Sequence, residues 1–282
     1  MTKKPESVNQ SVNESVESIV TEFQFDPALM GEEFNAVRIP RLPYGIVIND
    51  NPAGLFIPEK NAVKAGWVDL EPTSLTEIEL PGGEKAKGIF LKSVRMIILG
   101  SVPPYIRYKT SDELGDMRGV IVGSYSESHH LLDKKTMEVC SEYLLVFLSA
   151  NNDLLHTRPI RIRFKNVALW TLLDALEDFY ISMEIKFAQM TNTKAVGKSD
   201  RWRALCVFEG DFVAMKEGEG SNKSYCCKVV RFTLPEFANF HTMFLGLGTP
   251  QKSAKIWEIH DMNIGALPRL SAESNQLLLG SK

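Results

Sequence analysis

Few residues in this 282-residue chain bear obvious chemistry, and their scarcity excludes several simple functions. Its four cysteines, at positions 140, 206, 226 and 227, include no pair at the two-residue spacing of a zinc knuckle. All four lie in apolar, strand-like segments, and adjacent Cys226 and Cys227 point to opposite faces of a strand. Buried, reduced thiols are therefore expected. The five histidines, at 129, 130, 156, 241 and 260, lack His-x-x-x-His or His-Glu-x-x-His spacing, so no metal is expected. No Gly-x-Ser-x-Gly elbow occurs. Gly197-Lys198-Ser199 copies the end of a phosphate loop, but Asn192 stands where its first glycine belongs and a helix precedes it. No nucleophile, base and orienting group can be named together, so neither an enzyme nor a cofactor is expected.

Long apolar runs are also missing. Met96–Leu99 and Tyr143–Leu148 have strand length and are too short to span a bilayer, so no membrane partner is expected. The chain opens Met-Thr-Lys-Lys-Pro-Glu and continues polar, without a secretory apolar stretch, which points to a cytoplasmic protein. A hydrophobic fraction of 44%, a charged fraction of 24% and a net charge of −3 are those of an ordinary globular chain. That charge supplies no overall attraction to nucleic acid.

What is present is organised around residues 154–190. Leu154–Phe164 reads as a strand, with Ile160, Ile162 and Phe164 on one face and Arg161 and Arg163 on the other. It runs into a helix from Asn166, a candidate N-cap, to Met190. Leu169, Leu172, Leu173, Leu176, Phe179, Tyr180, Met183 and Phe187 form an apolar stripe there. Asp174, Glu177, Asp178 and Glu184 fall largely on the other side, shared with Trp170, Ile181 and Ile185. Such a helix needs a sheet to cover.

Around this unit, residues 1–36 form an acidic segment, two lysines against seven carboxylates, with Val8, Val12, Val16, Ile19 and Val20 at helical spacing. Residues 37–270 are expected to form one α+β domain or two sub-lobes, 37–135 and 136–270, and residues 271–282 a polar tail. Gly88–Leu99, Tyr105–Lys109, Gly119–Tyr125 and Met137–Ser149 read as strands, and Asn151-Asn152-Asp153 as a hairpin turn. A second hairpin spans Trp202–Met215 and Tyr225–Phe232. Pro235–Phe244 reads as a helix and Lys255–Ile259 as a last strand. The order strand, strand, strand, helix, strand, strand is that of an OB-like barrel. The expected fold is thus mainly antiparallel β, with that barrel and one long helix packed on the sheet.

This mapping would place Met137–Ser149 and Leu154–Phe164 on the face where OB folds hold single strands. Arg158, Arg161 and Arg163 would stand there, with His129, His130, Lys134 and Lys135 in the preceding loop. Trp202, Arg203, Lys223, Tyr225, Lys228 and Arg231 lie in or beside the second hairpin. Across residues 154–232, Lys and Arg outnumber Asp and Glu thirteen to nine. Cations track a phosphate backbone and aromatic faces stack bases, so single-stranded nucleic acid is the leading ligand class. The competing reading makes Arg161 and Arg163 a solvated face and Trp202 and Tyr225 core. The runner-up function is a structural or assembly protein that uses its acidic N-terminal segment and apolar C-terminal tail to form homo-oligomers or a larger complex.

Ile39-Pro40-Arg41-Leu42-Pro43, Gly54-Leu55-Phe56-Ile57-Pro58, Ala65-Gly66-Trp67-Val68, Leu205-Cys206-Val207-Phe208 and Cys227-Lys228-Val229-Val230 resemble a family of uncharacterised cyanobacterial proteins, often plasmid- or phage-borne. The resemblance covers about residues 37–245. It implies a shared fold and transfers no activity. A weaker likeness is to phage single-stranded DNA-binding proteins with an OB barrel. Those end in an acidic, aromatic-tipped tail, whereas this chain ends Leu277-Leu278-Leu279-Gly280-Ser281-Lys282.

Overall fold

The structure, a computed structural model, describes residues 42–80, 83–218, 220, 223–247 and 250–267. Backbone contacts divide the chain into residues 1–40 and 41–282. The acidic segment 1–36, the tail 271–282 and parts of two expected turns (residues 81–82, 219 and 221–222) lie outside the described residues.

Among the described residues, eleven strands form one mixed sheet. They are β1 (Tyr44–Ile48), β2 (Gly54–Pro58), β3 (Thr76–Glu79), β4 (Lys85–Leu91), β5 (Ser93–Ser101), β6 (Tyr105–Tyr108), β7 (Ile121–Ser124), β8 (Met137–Phe147), β9 (Ile160–Lys165), β10 (Phe208–Glu217) and β11 (Ser224–Phe232). The order along the main path is β11-β10-β5-β8-β9-β1-β2-β4-β3, with β6 pairing β8 and β7 pairing β6. Strands from residues 37–135 and 136–270 interleave in it. The pairs are antiparallel except β1 with β9, which is parallel.

The OB-like barrel expected from element order is corrected here, because the sheet does not close. The second hairpin joins through β10 to β5, and the free edge of β9 is taken by β1. The stretch Gly88–Leu99 is two strands, not one. Lys92 alone separates β4 from β5, although five pairings lie between them along the sheet, so the sheet curls strongly. At its β11 edge, side chains take the place of a further strand: the Cys227 N–H donates to Asn49 Oδ1 at 2.9 Å and the Val229 N–H to Thr171 Oγ1 at 3.2 Å. Edge donors satisfied this way need no backbone closure.

Among helices, α1 (Glu59–Ala65) and α2 (Tyr125–Ser128) are short, and α3 (Asn166–Thr191) carries the expected long apolar stripe. Leu169, Leu172, Leu176, Phe179 and Met183 are buried, while Leu173, Tyr180 and Phe187 are half-buried. The helix packs on β11, β8 and β9, and Phe179 meets Phe208 edge-on at 5.4 Å. Each buried leucine contributes roughly 1.5–3 kcal/mol. Asn166 makes no side-chain cap: it sits at φ 49°, a left-handed kink between β9 and α3. Glu184, on the side shared with Trp170, Ile181 and Ile185, is buried and held by Arg203 at 3.3 Å.

Past α3 come α4 (Asp200–Arg203), α5 (Phe240–Met243) and α6 (Pro250–Met262). The last corrects the strand expected at Lys255–Ile259. Ser253, Ile256 and Ile259 are its buried residues, and their three-residue spacing suits a helix face. The long helix therefore has a second, shorter companion. The expected strand Leu154–Phe164 begins only at Ile160. Upstream, Leu154 and Leu155 still pair with Leu148 and Phe147, but His156 is drawn to Trp67, stacking at 5.1 Å and bridging it, and the N–H groups of Thr157 and Arg158 turn to the Ala65 carbonyl at the end of α1. All four cysteines are free and buried. No described helix is long and apolar enough to cross a membrane.

Candidate functional site

Alternation along β9 aims Ile160, Ile162 and Phe164 at the core and Arg161, Arg163 and Lys165 at the opposite face. The register then brings chemistry together. Arg161 lies opposite Leu144, Arg163 opposite Glu142 and Lys165 opposite Cys140. On the other side of β8, Tyr105 faces Cys140 and Arg107 faces Glu138. Four cations thus surround two carboxylates, Glu138 and Glu142, on one face of three strands.

The carboxylates are almost wholly buried, their side chains 4% and 2% exposed. Arg107 Nε donates to Glu138 Oε1 at 2.9 Å, and Lys165 Nζ lies 3.1 Å from Glu138 Oε2. Burial alone would raise the Glu138 pKa. Lys165 and Arg107 outweigh it and hold the carboxyl below its ordinary value. Glu142 Oε1 accepts from Arg163 Nε at 2.9 Å and from the Tyr105 hydroxyl at 3.1 Å. Among the described residues its Oε2 accepts no hydrogen bond, and Arg161 Nη1 stands 3.6 Å from it. Between Glu138 and Glu142, burial pushes the Cys140 thiol up to about 11, so it stays protonated at neutral pH.

Arg107, Glu142, Arg161, Arg163 and Lys165 line a cleft of about 240 Å³ whose other wall is β1. Gly45 lets β1 lie close to β9, because a Cβ there would stand 3.0 Å from Ile162 Cδ1. β1 pairs with β9 only through Tyr44–Arg161 and Gly45–Ile162, leaving Arg163 and Lys165 uncovered by a strand. Tyr44 is 49% exposed at the cleft mouth. Arg161, Arg163 and Lys165 remain partly open to solvent. Four cations against two carboxylates leave two positive charges in excess.

The other residues expected at the site do not join them. Arg158 is tied by its backbone, its N–H donating to the Ala65 carbonyl and its carbonyl accepting from His156 Nδ1. Trp202 packs against Phe187 and Phe244, with ring centroids 5.4 and 5.0 Å away, as the core reading required. Arg203 lies over Tyr180 and holds Glu184. On the second hairpin, Lys228 pairs with Glu217 and Arg231 with Asp211. Lys216 stands over the Tyr225 ring, and Lys223 is exposed. His129 and His130 are exposed in a short 3₁₀ turn, with Lys134 and Lys135 exposed beyond it.

Lys165, Arg107, Tyr44 and Glu142, all in the cleft, escaped the sequence reading. Lys165 continues the Arg161, Arg163 alternation by one step, and that signal was available. Arg107 and Tyr44 arrive through the pairings of β6 with β8 and β1 with β9, which join segments far apart in sequence.

No curated protein and no solved structure matches the chain. The cyanobacterial, plasmid, phage and OB-protein links suggested by resemblance find no counterpart in the comparisons, whereas a family without an assigned activity does. Residues 39–275, most of the chain, match the family described as "Domain of unknown function (DUF5895)", and the chain belongs to that family.

Proposed function

We propose that this protein binds single-stranded nucleic acid in the cytoplasm without catalysing a reaction on it, through the cleft between β9 and β1. One observation carries the reading: Arg107, Arg161, Arg163 and Lys165 hold two more charges than their carboxylates neutralise, beside an exposed tyrosine. Exposed cations attract successive phosphates, and an open aromatic face gives an adjoining base a stacking surface. The binding role fits the state of the neighbouring groups. Both carboxylates are held by cations, and the Cys140 thiol is protonated. His156 is locked by the Phe147 N–H and the Arg158 carbonyl.

The test is fluorescence anisotropy of labelled single strands with the intact protein over a salt series. Affinity is expected to fall linearly with salt on logarithmic axes, as displaced counterions require. Absence of binding at low salt would defeat the reading.

A second reading, assembly into homo-oligomers, rests on a different surface. Trp170, Ile181 and Ile185 are exposed on the outward side of α3, a row of large apolar groups facing solvent. Light scattering after chromatography would show a multimer that Ile181→Lys dissolves. A monomeric mass at all concentrations would refute it.

A further inference from the structure

We infer that the cleft selects ribonucleotide over deoxyribonucleotide strands, with Glu142 Oε2 accepting a hydrogen bond from a 2′-hydroxyl; this rests on the nucleic-acid reading above. The two oxygens of Glu142 differ. Oε1 takes donors from the Tyr105 hydroxyl and from Arg163 Nε and Nη2. Oε2 takes none among the described residues, although the side chain is 98% buried and lines the cleft. Buried carboxylate oxygens ordinarily find partners, so a bare one beside a cationic cleft marks a place for a ligand's donor.

Arg161 decides what sort of donor fits. Its Nη1 covers Oε2 at 3.6 Å, too far for a hydrogen bond, and it makes no side-chain hydrogen bond among the described residues. Its side chain is 41% exposed, so it is free to turn outward onto a phosphate. Turning uncovers Oε2 immediately beside that phosphate. A bare carboxylate there repels the anion unless the ligand brings an N–H or O–H within the same few ångströms. In a ribonucleotide, the 2′-hydroxyl is vicinal to the oxygen carrying the 3′-phosphate, so hydroxyl and phosphate reach Oε2 and Arg161 together. The exocyclic amines of the bases lie across the glycosidic bond, beyond that reach. Deoxyribose offers only C–H at the position, leaving Oε2 unpaired. The 2′-hydroxyl is the group by which a protein separates RNA from DNA at a single site.

The experiment compares oligouridine, oligodeoxyuridine and 2′-O-methyl oligouridine of equal length on the full chain by anisotropy at low salt. The ribo strand is expected to bind about tenfold tighter than the other two, the scale of a hydrogen bond to a charged group. Glu142→Gln, checked for folding by circular dichroism, is expected to narrow that ratio. The three-strand comparison stands on wild-type protein even where the variant fails to fold. Equal affinity for the ribo and deoxy strands would overturn the selection while leaving strand binding intact. Binding of none of the three would overturn the nucleic-acid reading itself. Uridine 3′-monophosphate binding as tightly as the ribo strand would reassign the cleft to mononucleotides and overturn selection among strands.

Discussion

β9 and β11 look alike in sequence: each is a short strand with cations at alternate or near-alternate positions among apolar residues. The fold treats them differently. On β11, Lys228 and Arg231 each meet one carboxylate from β10, so charge is balanced pair by pair. On β9, Arg161, Arg163 and Lys165 share two buried carboxylates of β8 with Arg107 from β6. Cation counts along the chain therefore do not locate a binding surface; the strand that lies opposite does. The β11 carboxylates, 44% and 33% exposed, are reached by water, where such contacts are worth about 0–1 kcal/mol. The β8 carboxylates are buried, and losing one member of such a pair leaves the other as an uncompensated charge inside the sheet.

The largest contrast is expected in stability. Glu142→Ala removes the partner of Arg163 inside the sheet and should cost about 3–5 kcal/mol in chemical denaturation. Glu217→Ala, at a side chain 44% exposed beside Lys228, should cost no more than about 1 kcal/mol. Similar losses for both would erase the distinction between the regions.

Acid should separate them next. Burial depresses the His156 pKa from 6.5 to about 4, so the folded state favours neutral imidazole. Its contribution is complete above the unfolded value and is lost as pH falls from 6.5 to about 4, about 3 kcal/mol in total. Glu138, with its folded pKa lowered, adds a further loss as pH falls below the ordinary carboxylate value. Denaturation midpoints across pH should show both losses, and Lys228→Ala should leave the curve's shape unaltered. A midpoint that stays level between pH 6.5 and 4 would count against the His156 assignment.

Ligand binding should then discriminate by location. Arg161→Ala with Lys165→Ala should weaken single-strand binding about tenfold or more. It should also reduce the salt slope by about 1.4, two lost phosphate contacts at roughly 0.7 each. The smallest effect belongs to Lys228→Ala with Arg231→Ala, whose charges are already neutralised: less than about a twofold change. The opposite ranking would move the interface to the second hairpin.

These contrasts also mark what the sequence could reveal. Local periodicity located α3, the burial of Ile160, Ile162 and Phe164, and the outward direction of Arg161 and Arg163, because each depends on neighbours two to four residues apart. The open sheet was not legible. It depends on the parallel pairing of β1 with β9 and on the bend at Lys92, both governed by long-range packing. The strand expected at Lys255–Ile259 shows the same limit: three apolar residues in five fit either period, and only Ser253 on the buried face reveals the helix. Glu138 and Glu142 read as ordinary charges within a strand-rich segment. Their burial follows from cations supplied by two other strands.

Photocrosslinking tests the central claim most directly. A single strand carrying 4-thiouridine is bound to the full chain, irradiated, and the attached peptides are identified by mass spectrometry. The account predicts crosslinks at Tyr44 and within residues 159–165, competed away by unlabelled strand. Crosslinks confined to Tyr225 and its neighbours on β11, with none at Tyr44, would contradict it.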